Sequence, residues 1–411
     1  MTTRIRADLA RFGTRLGPDQ IARRRRLVLL VALVALALKL VMAATTFGTR
    51  DFWHWADFVA AVHAHGPVGV YAVHFDRSFY NHPPGIGYLL ELVHFGAGHG
   101  VSINFSIRAL ASLADVGSAL LVFELVRARR TLDQAAFAGS AVAASPILFI
   151  ISGFHGNTDP IFVFFVLLGL YLLAERELAA LAGISIALAL SIKIVPVVVL
   201  AVLALAAWRR GPAALARFAV GGAVTMAVIW LPAVIGQPAG LKRNVLEYAG
   251  SGPSQWGLSQ LGHWFGDPFW SSYLAGSGRF PIVLLCMLAP AGLYWANRLD
   301  EAQAVALALL GFLFLTPAFG AQYTAWAVAA AYLLSIRWAT VYNLGGGLLL
   351  FWVYTRWNGG LPWDFAHTWG LAKPEVVGAF LVWASLGVIV GRTLIGAVRR
   401  PVRGAELPSR P

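Results

Sequence analysis

The sequence predicts an all-α polytopic membrane protein, a bundle of about twelve transmembrane helices with a long first outer loop. Three observations predict it. Hydrophobic residues make up 58% of the 411 residues and charged residues only 12%, roughly half the charge of a soluble chain. Apolar runs of about the length that spans the ~30 Å hydrocarbon core recur from one end of the chain to the other. Fifteen Trp and eleven Tyr suit a protein with many helix ends at the membrane–water boundary.

The first apolar run, Leu27 to Phe47, follows a basic tail ending in Arg23–Arg26. It exceeds the roughly 7–15 residues of a signal-peptide core and reads as a retained anchor, with cleavage after "VMAA" as the alternative. Further spans are expected near 106–126, 134–152, 159–175, 178–192, 194–208, 213–235, 281–297, 301–317, 322–337, 338–356 and 376–397. The stretch 178–208 is too long for one span and short for two. "SIKIVP" (Ser191–Pro196) falls in its middle, and a proline removes a backbone donor, so two short helices meeting at a polar break are expected. Tails at 1–26 and 398–411 then enclose one transmembrane domain, 27–397, with outer loops near 48–105 and 236–280.

The net charge is +13. In a soluble chain this would suggest nucleic acid. Here roughly two thirds of the 32 Lys and Arg fall in the tails and short loops of one side, which by the positive-inside rule puts both termini in the cytoplasm and implies no nucleic-acid partner. Cys286 is the only cysteine, so no intrachain disulfide and no cysteine-rich metal site is possible. No P-loop, dinucleotide fingerprint, zinc helix or serine-nucleophile elbow is present.

Chemistry concentrates at the outer helix ends. "TRDFWHWADF" (Thr49–Phe58) places Asp51 and Asp57 among aromatic rings just past the anchor. A carboxylate in a partly desolvated mouth can act as a general base, with rings to hold a sugar face or a lipid chain; the alternative is a helix-end carboxylate facing water. Farther along, Asp76, Arg77, Tyr80, Asn81 and His82 precede Pro83 and Pro84, and the segment Ile86–Phe95 is amphipathic enough to lie in the interface. The turn "HGNTD" carries His155, Asn157 and Asp159. Asp159 before Pro160 fits a helix N-cap with proline at the first helical position, which leaves His155 and Asn157 unexplained. Lys193 in the polar break is a point-charge partner for phosphate, or else a lysine reaching back to the interface. In the second loop Lys242, Arg243, Tyr248, Ser254, Gln255, Trp256 and His263 are candidates for a headgroup or sugar site, a bland interfacial loop being the equal alternative. Gln322 and Tyr323 open a late span from outside. Lys39 and Asp115 lie at similar membrane depth on consecutive spans and are expected to pair, because an unpaired charge there is expensive.

The order of these pieces resembles the GT-C superfamily of integral-membrane glycosyltransferases: an anchor, an outer loop opening on an acidic residue, a Pro-Pro segment, "HGNTD", the "K-x-x-P" break and a late "QYTAW". Within it the pattern is similar to bacterial polyprenyl-phosphate-mannose-dependent mannosyltransferases. The resemblance implies a GT-C-like bundle in a bacterial inner membrane with its active site on the outer face. It implies a polyprenyl-phosphate sugar donor, a lipid or glycan acceptor, membrane lipids as partners and no cofactor. It gives Asp51 the role of catalytic base, with Asp57 in reserve; Lys193 and Arg243 the donor phosphate; and Tyr80, His82, His155, Asn157, Trp256, Gln322 and Tyr323 the substrate cavity. Many relatives carry two acidic residues one apart in this loop. The "RDFWHWAD" here departs from that, which argues for metal-independent chemistry. The rival readings are a transporter or flippase of lipid-linked sugars, which should show repeated halves with matching broken helices, and a non-catalytic protein of the same fold.

Overall fold

The computed structural model describes residues 17–76, 78–248, 255–266, 268–317, 319–368 and 370–399. The candidates Arg77 and Ser254 lie outside the described residues, as does the side chain of His263. The described residues are mostly helical, and each expected span overlaps helix, although 134–152 is broken at Ser145 and 322–337 crosses from one helix into the next at Ser335. In order these are α1 (Pro18–Thr45), α2 (Asp51–Gly69), α3 (Pro84–Gly98), α4 (Ile103–Arg127), α5 (Leu132–Ala143), α6 (Pro146–Ile150), α7 (Asp159–Ala174), α8 (Ala179–Ile192) and α9 (Leu200–Arg209). There follow α10 (Pro212–Gly236), the short α11 (Pro238–Leu241), α12 (Leu258–Trp264) and α13 (Pro268–Ala275), then α14 (Arg279–Trp295), α15 (Glu301–Leu315), α16 (Thr324–Leu334), α17 (Ile336–Trp357) and α18 (Lys373–Arg399). Five helical segments are long and apolar enough to cross a membrane by length and composition: α1, α4, α10, α18 and the continuous run Leu132–His155. Shorter apolar helices, α7, α8, α14, α15 and the run Val195–Arg209, fill the bundle between them.

The break at Lys193 forms as expected. Helix α8 ends at Ile192, Lys193 is extended at φ −151° and ψ 145°, and a 3₁₀ turn, Val195–Val199, restarts the chain with Pro196 in its first turn. A proline there has no backbone donor to waste. Helices α8 and α10 touch at the backbone level, because Gly183 faces Phe218 O and Gly221 faces Ala180 O where a Cβ would collide. Small residues permit such approaches in a bilayer, where packing rather than water exclusion holds helices together.

Lys39 and Asp115 pair as expected, Nζ to Oδ2 at 2.7 Å, with side chains only 2% and 4% exposed. Two features of the region around Asp51 were not expected. The first loop is mostly helix: α2 begins at Asp51 and is kinked at Gly66 (φ 76°, ψ 167°) before Pro67, and α3 packs beside it. The segment after α17 also folds back, so that β1 (Gly48–Thr49) pairs in parallel with β2 (Phe365–Ala366), Gly48 opposite Phe365 and Thr49 opposite Ala366.

Candidate active site

The station around Asp51 is built from the end of α1 outward. Arg108, fully buried on α4, takes the carbonyls that α1 leaves unpaired. Its Nη2 donates to Ala43 O at 2.9 Å and Thr46 O at 2.8 Å, and its Nη1 to Thr46 Oγ1 at 2.9 Å. A cation suits this negative end of the helix dipole. Phe47 N then donates to Asp364 Oδ1 at 3.0 Å, and Gly48 N to Asp364 O at 2.8 Å. Phe52 wedges beneath, 1% exposed, with the Arg108 guanidinium 4.8 Å from its ring centroid. Gly48 (φ +102°) and Gly156 (φ +80°) both press on this ring, and a Cβ on either would enter it. The chain is thereby fixed on both sides of Asp51, the first residue of α2, where a carboxylate meets the positive end of the helix dipole.

From the other direction, α6 runs into a π turn, Ile151–His155, that ends at left-handed Gly156. Such turns often mark functional sites. This one aims His155 at Asp51, Nε2 to Oδ2 at 3.0 Å. The second ring nitrogen, Nδ1, is hydrogen-bonded to the hydroxyl of the fully buried Tyr354 on α17. Thr49 Oγ1 donates to His155 O at 2.9 Å and Trp55 Nε1 to Gly156 O at 3.1 Å, riveting the turn to α2. Burial of the Asp51 carboxyl favours its neutral form, but the hydrogen bond from His155, with the electrostatic influence of the surrounding imidazoles, outweighs it and holds the pKa below its ordinary value of 3.8. Asp51 is therefore ionised at neutral pH.

Asp51 opens onto a cavity of about 940 Å³, and its side chain is 47% exposed there. Trp55, His82, Asn157, Asp159, Lys193, Gln322 and Tyr323 line it too. His82 stacks on Trp55, rings 4.8 Å apart at 24°; its burial first, then the Lys193 charge, push its pKa down to about 3, so it is neutral. Apolar side chains complete the lining, among them Val195, Val197, Val245, Leu246, Phe280, Val283 and Phe312.

Asp159 departs from the sequence expectation. It is the first residue of α7, with Pro160 second, and no side chain caps the helix. Its buried carboxylate instead gathers two donors from distant elements, Lys193 Nζ on Oδ1 at 2.6 Å and Trp326 Nε1 on Oδ2 at 2.6 Å, and one from its own turn, Asn157 Nδ2 on Oδ2 at 2.8 Å. Nothing local in the sequence marks Lys193 or Trp326 as partners. Lys193 lies over the rings of Tyr323 and Trp326, 4.9 and 4.8 Å from their centroids.

Of the remaining candidates, His155 stands behind Asp51 rather than in the lining. Asp57 is exposed and outside the lining; six residues at about 100° each turn it well away from Asp51 on the helix. Arg243 is exposed too, its Nε donating to Asn244 Oδ1 at 3.1 Å. Tyr80 and Trp256 are each 1% exposed and support the wall from behind, Tyr80 against Phe58 and Trp256 against Phe319. Sequence reasoning passed over Arg108, Tyr354 and Arg279, at span boundaries or within spans, where a charge or tyrosine reads as interfacial, and Asp364, in the loop between α17 and α18.

A multi-pass helical bundle with a cavity lined by both polar and apolar side chains at the start of α2 and α7 has the architecture expected of an integral-membrane glycosyltransferase of the GT-C type. Residues 80–319, more than half of the chain, match the sequence model of glycosyltransferase family 87, and the chain belongs to that family. The crystal structure of ArnT from Cupriavidus metallidurans bound to undecaprenyl phosphate matches with a TM-score of 0.50 at 16% identity, over 90% of this chain and 75% of that one. Its apo form gives 0.48 at 17% identity, with the same coverage. At these identities the likeness is one of fold. No curated protein sequence matches the chain.

Proposed function

We propose that this glycosyltransferase moves a hexose, mannose favoured, from a polyprenyl-phosphate sugar to a lipid or glycan acceptor, with Asp51 as the general base. The observation that carries this is the placement of Asp51: an ionised carboxylate, held from behind by His155, facing a cavity lined by both polar and apolar side chains. Such a cavity suits a ligand with a sugar head and a hydrocarbon tail. The structural match to ArnT, whose crystal structure holds undecaprenyl phosphate, supports the same donor class. At about 940 Å³ the space lies at the upper end for a small-ligand site and admits a hexosyl phosphate with the first part of a chain.

The acceptor hydroxyl oxygen attacks the anomeric carbon from the face opposite the phosphate. The carbon–phosphate-oxygen bond breaks, the electron pair leaves on the phosphate, and the hydroxyl proton passes to Asp51, so configuration inverts. With the His155 ring neutral, the Tyr354 hydroxyl donates to Nδ1 and Nε2–H donates to Asp51, leaving the other carboxylate oxygen for the acceptor. His82, Asn157, Gln322 and Tyr323 meet the sugar. Lys193 supplies positive charge toward the leaving phosphate. The distribution of Lys and Arg supports cytoplasmic termini and an outward-facing site, and the resemblance to bacterial lipid-linked-sugar transferases supports a bacterial inner membrane.

The test is transfer in vitro from a panel of polyprenyl-phosphate sugars to membrane lipids. Loss of a general base costs roughly 10²–10⁴ in rate, so Asp51→Asn should fall by about that much with normal expression. Full activity in that variant would remove Asp51 from the mechanism.

A further inference from the structure

We infer that Arg279, not Arg243, is the residue that grips the phosphate of the lipid donor. This rests on the donor class proposed above and deepens it. Among the described residues lining the cavity, two carry a permanent positive charge, Lys193 and Arg279. They differ in what they are already bonded to. Lys193 is 2.6 Å from Asp159 and spreads its charge over two aromatic rings, so a phosphate arriving there shares the lysine with a carboxylate that is already present. Arg279 has no carboxylate partner among the described residues. Its Nη1 donates to the backbone carbonyl of Glu247 at 3.1 Å, and its guanidinium lies 4.9 Å from the Phe280 ring centroid. A neutral carbonyl leaves the charge uncompensated and the other guanidinium nitrogens open to an anion. A guanidinium is also the better fork for two phosphate oxygens than an ammonium.

The position fits as well as the charge. In a polyprenyl-phosphate sugar the phosphate stands between the sugar and the hydrocarbon. Arg279 begins α14, and the next cavity-lining residues of that helix, Phe280 and Val283, belong to the apolar wall. The polar residues Asp51 and Asn157 line the same cavity. A donor with its tail along Phe280 and Val283 would carry its phosphate close to Arg279, at the start of that helix. Arg243, exposed and outside the lining, has no such path.

The experiment is equilibrium binding of undecaprenyl phosphate and of undecaprenol, the same chain without the phosphate, to the full-length protein in nanodiscs. Wild type should prefer the phosphate. Arg279→Gln should weaken undecaprenyl phosphate by about tenfold to a hundredfold, the range for one hydrogen bond to a charged group. It should leave undecaprenol binding unchanged, and Arg279→Lys should fall between. If wild type prefers the phosphate and Arg279→Gln retains that preference, the phosphate is held elsewhere: the Arg279 assignment fails and the donor class stands. If wild type does not distinguish the two lipids, the donor class fails and the assignment with it. Equal weakening toward both lipids would make Arg279 a wall residue and overturn the proposal. Thermal midpoints and Arg279→Lys serve as the folding controls.

Discussion

Lys39→Met or Asp115→Leu, each made alone, should be severely destabilising, and the two together should not. The pair sits at 2.7 Å with side chains 2% and 4% exposed, so removing either partner strands a charge that neither water nor another ion reaches. Breaking a buried pair in this way costs about 3–5 kcal/mol, whereas replacing both partners by apolar residues is often neutral or favourable. At about 1.4 kcal/mol per factor of ten, a single change lowers the folded-to-unfolded ratio by roughly two to three orders of magnitude. The consequence reaches the site. A Cβ on Gly153, in the π turn that delivers His155, would stand 3.3 Å from Lys39 Cγ, so the lysine stem is the floor under that turn. Thermal midpoints and monodisperse yield in detergent, read beside transfer activity, check the claim. A double variant no more stable than either single one, or a Lys39→Met protein as stable as wild type, would refute the reasoning.

Other expectations concern the reaction. Replacing His155 by Leu removes the hydrogen bond and electrostatic influence that lower the Asp51 pKa and leaves the burial that raises it; since the base works only when ionised, the acid limb of the pH–rate profile should move to higher pH, and an unmoved limb would separate His155 from the base. Tyr354→Phe should move the limb the same way by less. Lys193→Ala should raise the KM for donor more than for acceptor, with Lys193→Arg partly restoring it, as initial rates against each substrate in turn will show. A strong chelator should leave transfer unchanged, and activity lost to it and regained with a divalent ion would overturn the metal-free reading.

The bundle was legible in the sequence because hydropathy is a local property: a run of apolar residues must span or be buried wherever its neighbours lie. The break at Lys193–Pro196 was legible for the same reason, since a proline and a charge each disrupt a helix in place. The pair Lys39–Asp115 could be read because depth in a membrane follows from residue counts at about 1.5 Å each. What stayed hidden depends on contacts across hundreds of residues. The β1–β2 pairing joins Gly48 to Phe365 through backbone groups that any residue carries. Asp159 has a local sequence context typical of a helix cap, and only the arrival of Lys193 and Trp326 shows otherwise. Tyr354 in an apolar run reads as an interfacial anchor until α17 is placed against the His155 turn.

Three carboxylates line the cavity, Asp51, Asp159 and the exposed Asp76, and the first two show why proximity to a substrate space does not make a base. Asp159 is 2% exposed and accepts three side-chain hydrogen bonds, one from a lysine. To take a proton it would have to give up that cation inside a poorly solvated wall, leaving a buried lysine unpaired. Asp51 accepts a single side-chain hydrogen bond, from His155, on one oxygen, while about half of its side chain faces the cavity. Its second oxygen has lone pairs to offer and no bond to break first. The donors spent on Asp159 hold Lys193 and Asn157 in place, so one carboxylate organises the wall and the other is left free to meet the acceptor. The division follows from hydrogen-bond count and exposure, and it supports the proposal of Asp51 over Asp159 as the base without appeal to position in the sequence.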